Sequence, residues 1–148
     1  MTLVLKSKPV LTLEVARALA AAAETQIVAR KFAMFVAVVD DSGTPLFVAR
    51  FNDAQPASYE VAVQKAQVSA RFRRATRAFE DRVLKDGRLN LLTLPGIVAV
   101  EGGVPLTVDG TIVGAVGVSG GTGVEDGEVA AGAADDLPVL LGIARNFF

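Results

Sequence analysis

The chain has no cysteine, no histidine and no tryptophan, and its one tyrosine is Tyr59. Without cysteine there is no disulfide, no zinc–thiolate site and no thiol nucleophile. Without histidine there is no Ser–His relay and no imidazole ligand for a metal or a haem. Any metal would be a hard cation held by oxygen, and no metal site is expected. Aromatic residues make up only 6% of the sequence, so a core drawn from the 51% that is hydrophobic must rest mainly on Val, Ala and Leu. No apolar run approaches the roughly 18 residues of a membrane span. The high mean hydropathy therefore points to a fully buried sheet or an oligomer interface.

A strong charge of either sign is also missing, the formal net charge being -1. Nucleic-acid binding usually needs a basic stripe. The one candidate is Arg71, Arg73, Arg74 and Arg77 with Arg82 and Lys85, and Glu80, Asp81 and Asp86 partly neutralise it. It reads as a solvated helix face, with no nucleic-acid or membrane partner. Residues 1–10 hold Lys6 and Lys8 but no long apolar core and no small-residue cleavage site, so a cytoplasmic protein is expected. A chain of 148 residues is most simply one domain over 1–148, with 1–10 as a tail.

Glycine is what the chain does have, concentrated between Gly96 and Asp126. Val98, Val100, Val104 and Leu106 lie on either side of a Gly102-Gly103 break. Val108-Asp109-Gly110-Thr111 reads as a hairpin turn, because Asp-Gly tolerates positive φ. Ile112, Val113, Ala115, Val116 and Val118 follow, interrupted by Gly114 and Gly117, where another group must approach the backbone closely. Ser119-Gly120-Gly121-Thr122 is a bare loop before a helix. This hairpin is expected to form the floor of any site.

Elsewhere, Thr12 is an N-cap, and Val15, Leu19, Ala22, Ala23, Gln26 and Ile27 recur at helical spacing. Met34–Val39 and Pro45–Phe51 form a first hairpin about the turn Asp40-Asp41-Ser42-Gly43, with Leu3–Leu5 as a further short edge strand. Ser58 caps a second helix, in which Val61, Lys65, Val68 and Phe72 share one stripe. Residues 77–94 are a charged helical continuation and a loop. Glu125 and Asp126 suit the start of a last helix. After Pro138, the residues Val139, Leu140, Ile143 and Phe147 are expected to pack on the sheet or on another subunit. The order predicts an α+β fold: a single three-layer domain with a largely antiparallel sheet and helices on its faces, like a profilin or PAS arrangement.

Two cations stand out. Arg50 shares a strand face with Leu46 and Val48, so its guanidinium snorkels at the strand end, pairs with an acid, or projects into a cavity. Lys65 in an apolar row either reaches water at the stripe's edge or aims into a pocket, where it could bind an anion or form a Schiff base. The acid pairs Asp40/Asp41 and Glu125/Asp126 read as turn and cap residues. The SGGTG segment lacks the G-x-x-x-x-G-K-[ST] pattern of a phosphate loop, and the following acids would repel phosphate.

Several of these segments together resemble the HbpS/GlcG-like haem-binding family, which includes the PduO C-terminal domain. They are VAVVDDSGTPLFVARFNDA, Lys65-Ala66, LPG, EGGVPLTVDGTIVGAVGVSGGTGVED and Val129-Ala130. The resemblance spans roughly Leu11 to Ala134. It implies a five-stranded antiparallel sheet, assembly into a homodimer or homo-octamer, and a small-molecule ligand near the second helix and the glycine hairpin. Matching positions are Arg50, Lys65, Gly102, Gly103, Pro105, Gly114, Gly117, Ser119 and Asp126. With no histidine, the resemblance leaves haem to Tyr59, Met34 or Lys65, with its propionates on Arg50.

The implied ligand-binding set is Arg50, Tyr59, Lys65, Gly102, Gly103, Pro105 and Ser119. The leading reading is an oligomeric accessory protein that holds haem, another tetrapyrrole or a small acid over the hairpin. The alternative is a cofactor-free enzyme for a small carbonyl or hydroxy acid, with Lys65 as catalytic base or Schiff-base amine and Arg50 on the carboxylate. A third is a ligand-free scaffold with Arg50 paired to Asp53 or Asp126.

Overall fold

The structure, a computed structural model, describes residues 1–143. Thr12 opens the first helix, α1 (Leu13–Ala29), its Oγ1 accepting the Val15 amide at 3.3 Å. Ala16, Leu19, Ala20, Ala23 and Ile27 form the buried stripe of α1. The chain then returns through β1 (Phe35–Asp40) and β2 (Pro45–Arg50). Asp40 holds the turn between them: its Oδ1 accepts the amides of Ser42 and Thr44 and the Ser42 hydroxyl. A second hairpin, β3 (Gly103–Val108) and β4 (Thr111–Ser119), turns at Asp109-Gly110, where φ is +48° and +76°. Asp-Gly meets that requirement at low cost.

The two hairpins join through β1 and β4 into an antiparallel sheet of order β2-β1-β4-β3. Strand alternation assigns the two faces. Val36, Val38, Val116 and Val118 point to the layer of α1 and α4 (Gly123–Asp135), while Phe35, Ala37, Val39 and Ala115 meet α2 (Ser58–Phe72). Gly117 is bare where α2 comes closest: a methyl there would overlap the Ala62 carbonyl and the Ala66 backbone. The alanines of α2 and the glycines of β4 thus set the helix–sheet spacing. A short helix α3 (Thr76–Leu84), a 3-10 turn (Leu89–Thr93) and a single-turn helix α5 (Leu137–Leu140) complete the described elements.

The three-layer α+β arrangement is as expected, but the sheet among the described residues has four strands rather than five. Leu3–Leu5 is fully exposed and pairs with nothing, and Ile97–Val100 runs as irregular chain between the positive-φ residues Gly96 and Gly102. Two helix starts also shift. Ser58 is buried and accepts the Gln55 side chain instead of capping α2. α4 starts at Gly123, two residues ahead of Glu125, with Thr122 as its N-cap; Glu125 and Asp126 lie in its first turn as expected, and Glu125 completes a capping box with Thr122. At the far end Leu137 packs into the core, whereas Val139, Leu140 and Ile143 are exposed and Phe147 lies outside the described residues. No described helix is long and apolar enough to cross a membrane.

Candidate functional site

Lys65 lies midway along α2, and its side chain passes the end of the sheet to reach the first turn of α4. Its Nζ donates to Asp126 Oδ2 at 2.7 Å and to the Val118 carbonyl at 3.2 Å. The other carboxylate oxygen, Asp126 Oδ1, accepts the Gly121 amide at 2.9 Å. Both residues are sealed, with Lys65 1% and Asp126 2% exposed. Gly102, at φ +136°, makes the crossing passable, because a methyl there would meet Lys65 Nζ, Asp126 Cβ and the Val118 carbonyl. One ion pair therefore ties α2 on one face of the sheet to α4 on the other. Desolvation raises the Asp126 carboxyl above its ordinary 3.8, outweighing the lowering pull of the Lys65 ammonium and the Gly121 amide.

This geometry changes the expectation for the glycine hairpin. Gly103 packs directly under α2, where a methyl would overlap the Lys65 carbonyl, and its amide donates to Thr76 Oγ1 at 2.9 Å. The hairpin is a floor, but α2 roofs it. Lys65, Gly102 and Gly103, expected to face a ligand, are buried between helix and sheet. A Schiff-base role for Lys65 has no open amine here, since its nitrogen is enclosed and paired with a carboxylate. Pro105 is half-buried on the edge strand opposite Ala115, on the far side of β4 from Arg50.

The remaining positions lie at the same end of the sheet, where Ser119 follows directly on Val118 and is two residues beyond the Gly103 partner Gly117. Register places Arg50, Phe35 and Ser119 in one cross-strand row, since Phe35 is the partner of both. Neighbours across a sheet share a face, so this row lies at the end of the sheet covered by the start of α2. Arg50 Nε and Nη2 donate to the Ala54 carbonyl at 3.1 and 2.6 Å, and the guanidinium lies 5.6 Å from the Phe35 ring centroid. Tyr59, in the first turn of α2, meets the same ring edge-on at 5.9 Å. Phe35 thus sits beneath a cation and a phenol. Tyr59 is 48% exposed and Arg50 is exposed, while Ser119 and Met34 are buried. Among the described residues Arg50 pairs with neither Asp53 nor Asp126; its partner is a carbonyl, which leaves its charge uncompensated.

A cleft of about 390 Å³ opens on the α1 side of this strand end, between the end of α1 and the exit of β2, with Glu24, Lys31, Phe32, Arg50, Phe51 and Asn52 in its wall; Arg50 is the one member of the row that lines it. The cleft's volume is within the size range of small-molecule sites. The described residues contain no group of three or more carboxylates placed to hold a metal. The sequence did not single out Phe35, and for Asp126 it offered Arg50 as a partner where the structure has Lys65. The first is one position in a continuous apolar strand, and the second lies 61 residues from Lys65.

Known proteins with the same pattern give this geometry a context. The family model described as "Haem degrading protein HbpS-like" matches residues 11–135. Protein GlcG of Escherichia coli (strain K12) is 39% identical over 115 residues, covering 78% of this chain and 85% of that protein. Among solved structures, a double mutant of Streptomyces reticuli HbpS is 32% identical with a TM-score of 0.80, covering 88% of this chain and 89% of that one. A PduOC–heme complex is 28% identical with a TM-score of 0.77, covering 86% of this chain and 94% of that one. A match over most of the chain, a close sequence relative and a shared fold agree: this chain belongs to the HbpS-like family.

Proposed function

We propose that this chain is an accessory binding protein for haem or a related tetrapyrrole, held at the Arg50 end of the sheet. The observation that carries the reading is the exposed pair Arg50 and Tyr59 over Phe35, with Arg50 also in the wall of a cleft of about 390 Å³ on the α1 side. A tetrapyrrole offers a flat apolar face and carboxylates, and this corner offers aromatic surface and an uncompensated guanidinium. The family's printed description and the heme complex of PduOC support the same ligand class. Of the side chains suited to haem iron, Met34 and Lys65 are buried, so Tyr59 is the ligand and Arg50 faces a propionate. Gly102, Gly103, Pro105 and Ser119 shape the fold around the site without touching the ligand. The protein works in the cytoplasm as a homodimer or homo-octamer, and the exposed Leu84, Leu89, Leu92 and Val124 supply apolar surface for assembly.

Haem titration of the purified protein, followed by absorbance, tests this. Saturable binding is expected, weakened about ten-fold by Arg50→Ala, with the Soret band altered in Tyr59→Phe. Titration without saturation, or binding indifferent to both substitutions, would remove the reading.

A further inference from the structure

The basic segment after α2 is not a uniform solvated face. Along α3 one row of charges is neutralised: Arg77 and Lys85 both pair with Asp81, and Arg77 also approaches Glu101. The adjacent side is not. Ala78 and Arg82 lie one turn apart on α3, and Arg74, in the bend before the extended N-cap Ala75, comes to the same side of the helix by bordering the same cleft. Neither Arg74 nor Arg82 has an ion pair among the described residues. Arg74 Nε donates to the Phe72 carbonyl at 3.1 Å, and its guanidinium lies 5.5 Å from the Phe79 ring centroid.

These side chains border a cleft of about 120 Å³, whose remaining wall is Ala78, Phe79 and Leu91. Phe79 is buried, held edge-on by Phe72 at 5.3 Å, so the apolar floor is fixed. Leu91 comes from the 3-10 turn and closes the far side. Two uncompensated guanidiniums above a rigid apolar floor are suited to one carboxylate carried on a compact apolar body. The volume is well below the roughly 300–1,000 Å³ of sites for drug-sized ligands, which excludes a tetrapyrrole.

We propose that the cleft between Arg74, before α3, and Ala78 and Arg82 on α3 is a second ligand site, separate from the Arg50 corner, which takes a small monocarboxylate with a short apolar or aromatic tail. The carboxylate bridges the two guanidiniums across Ala78, and the tail rests on Phe79 against Leu91.

The test is an NMR titration of the full chain with sodium benzoate, observing the arginine Nε–H signals, with sodium chloride added to equal ionic strength as the reference. Benzoate is expected to saturate, shifting the Arg74 and Arg82 signals. Arg74→Gln and Arg82→Gln should each weaken it about ten-fold or more, while Arg73→Gln and Arg50→Ala leave it unchanged. Sodium acetate should bind more weakly than benzoate, because it carries less apolar surface to the floor. Equal shifts with chloride, or benzoate binding untouched by the Arg74 and Arg82 changes, would overturn the proposal. Because Arg50→Ala is silent here and disruptive in the haem titration, the two sites stand or fall separately.

Discussion

Replacing Lys65 by methionine keeps most of the side-chain volume and removes the charge, leaving the Asp126 carboxylate buried with only the Gly121 amide as a partner. Breaking a buried ion pair by removing one member costs about 3–5 kcal/mol. For a chain of this length that corresponds to a fall in Tm of about 10–15 °C. Asp126→Asn should cost a similar amount, since it strands the ammonium instead. The double variant Lys65→Met/Asp126→Leu behaves differently, because an apolar pair of similar volume needs no compensation. Its residual loss comes from the Gly121 amide and the Val118 carbonyl, each deprived of a partner at about 1 kcal/mol. Urea unfolding of the parent chain, Lys65→Met, Asp126→Leu and the double variant gives a double-mutant cycle, with an expected coupling of at least about 2 kcal/mol.

The sign of the pH effect is a second check within the same experiment. Asp126 already titrates above its ordinary value because it is desolvated, and losing Lys65 removes a charge that pulls it down. The folded Lys65→Met variant then binds a proton that the unfolded chain releases, so its stability falls as pH rises through that range. The penalty should be smaller at about pH 5 than at about pH 8. Additive single-mutant effects with no coupling would refute the reasoning, as would a Lys65→Met cost below about 1 kcal/mol.

The spacing of α2 over the sheet predicts that Gly117→Ala destabilises by about 3 kcal/mol, because its methyl would overlap the Ala62 carbonyl and Ala66. A lower urea midpoint with an unchanged slope is the expected reading. Asp40 gives an acid-limb prediction. Desolvation pushes its carboxyl up, but the Ser42 hydroxyl and the Thr44, Ser42 and Gly43 amides outweigh this and hold it below 3.8. A depressed carboxyl contributes stability above its unfolded value and loses it as pH falls through the folded one. Asp40→Asn should therefore lower stability near neutrality and flatten the decline below about pH 4, as followed by circular dichroism.

Local rules carried the elements further than the site. Thr12, the helical spacing of α1, the two apolar runs and the Asp-Gly turn each act within a few residues, and each element appears where the pattern put it. The buried stripe of α1, however, runs through Ala16 and Ala20 and leaves Val15, Ala22 and Gln26 half-buried. The start of α4 is also legible: Thr122-x-x-Glu125 is a capping-box pattern, and it sets the helix start two residues ahead of the acids. The count of strands was not legible, because Leu3–Leu5 and Ile97–Val100 have strand-like composition and only the presence of a partner decides. The fate of Lys65 was the hardest to read. A lysine in an apolar row looks the same whether it opens on a pocket or on a carboxylate contributed by a distant helix. Arg50 shows the opposite case, since its strand-end position was clear from sequence while its neighbours Phe35 and Tyr59 were supplied by register and by α2.

Pro105 sits in the middle of β3, at the outer edge of the sheet. A proline is tolerated there because its missing N–H faces outward. The outer ladder of β3 consequently lacks a donor at its centre, so an incoming strand could not pair along its length. The opposite edge, β2, has its proline only at the first residue, Pro45, and presents an unbroken run from Leu46 to Arg50. The sheet is thus guarded against runaway strand addition on one side and open on the other. Any continuation of the sheet into a second molecule would run through β2, beside the Arg50 corner.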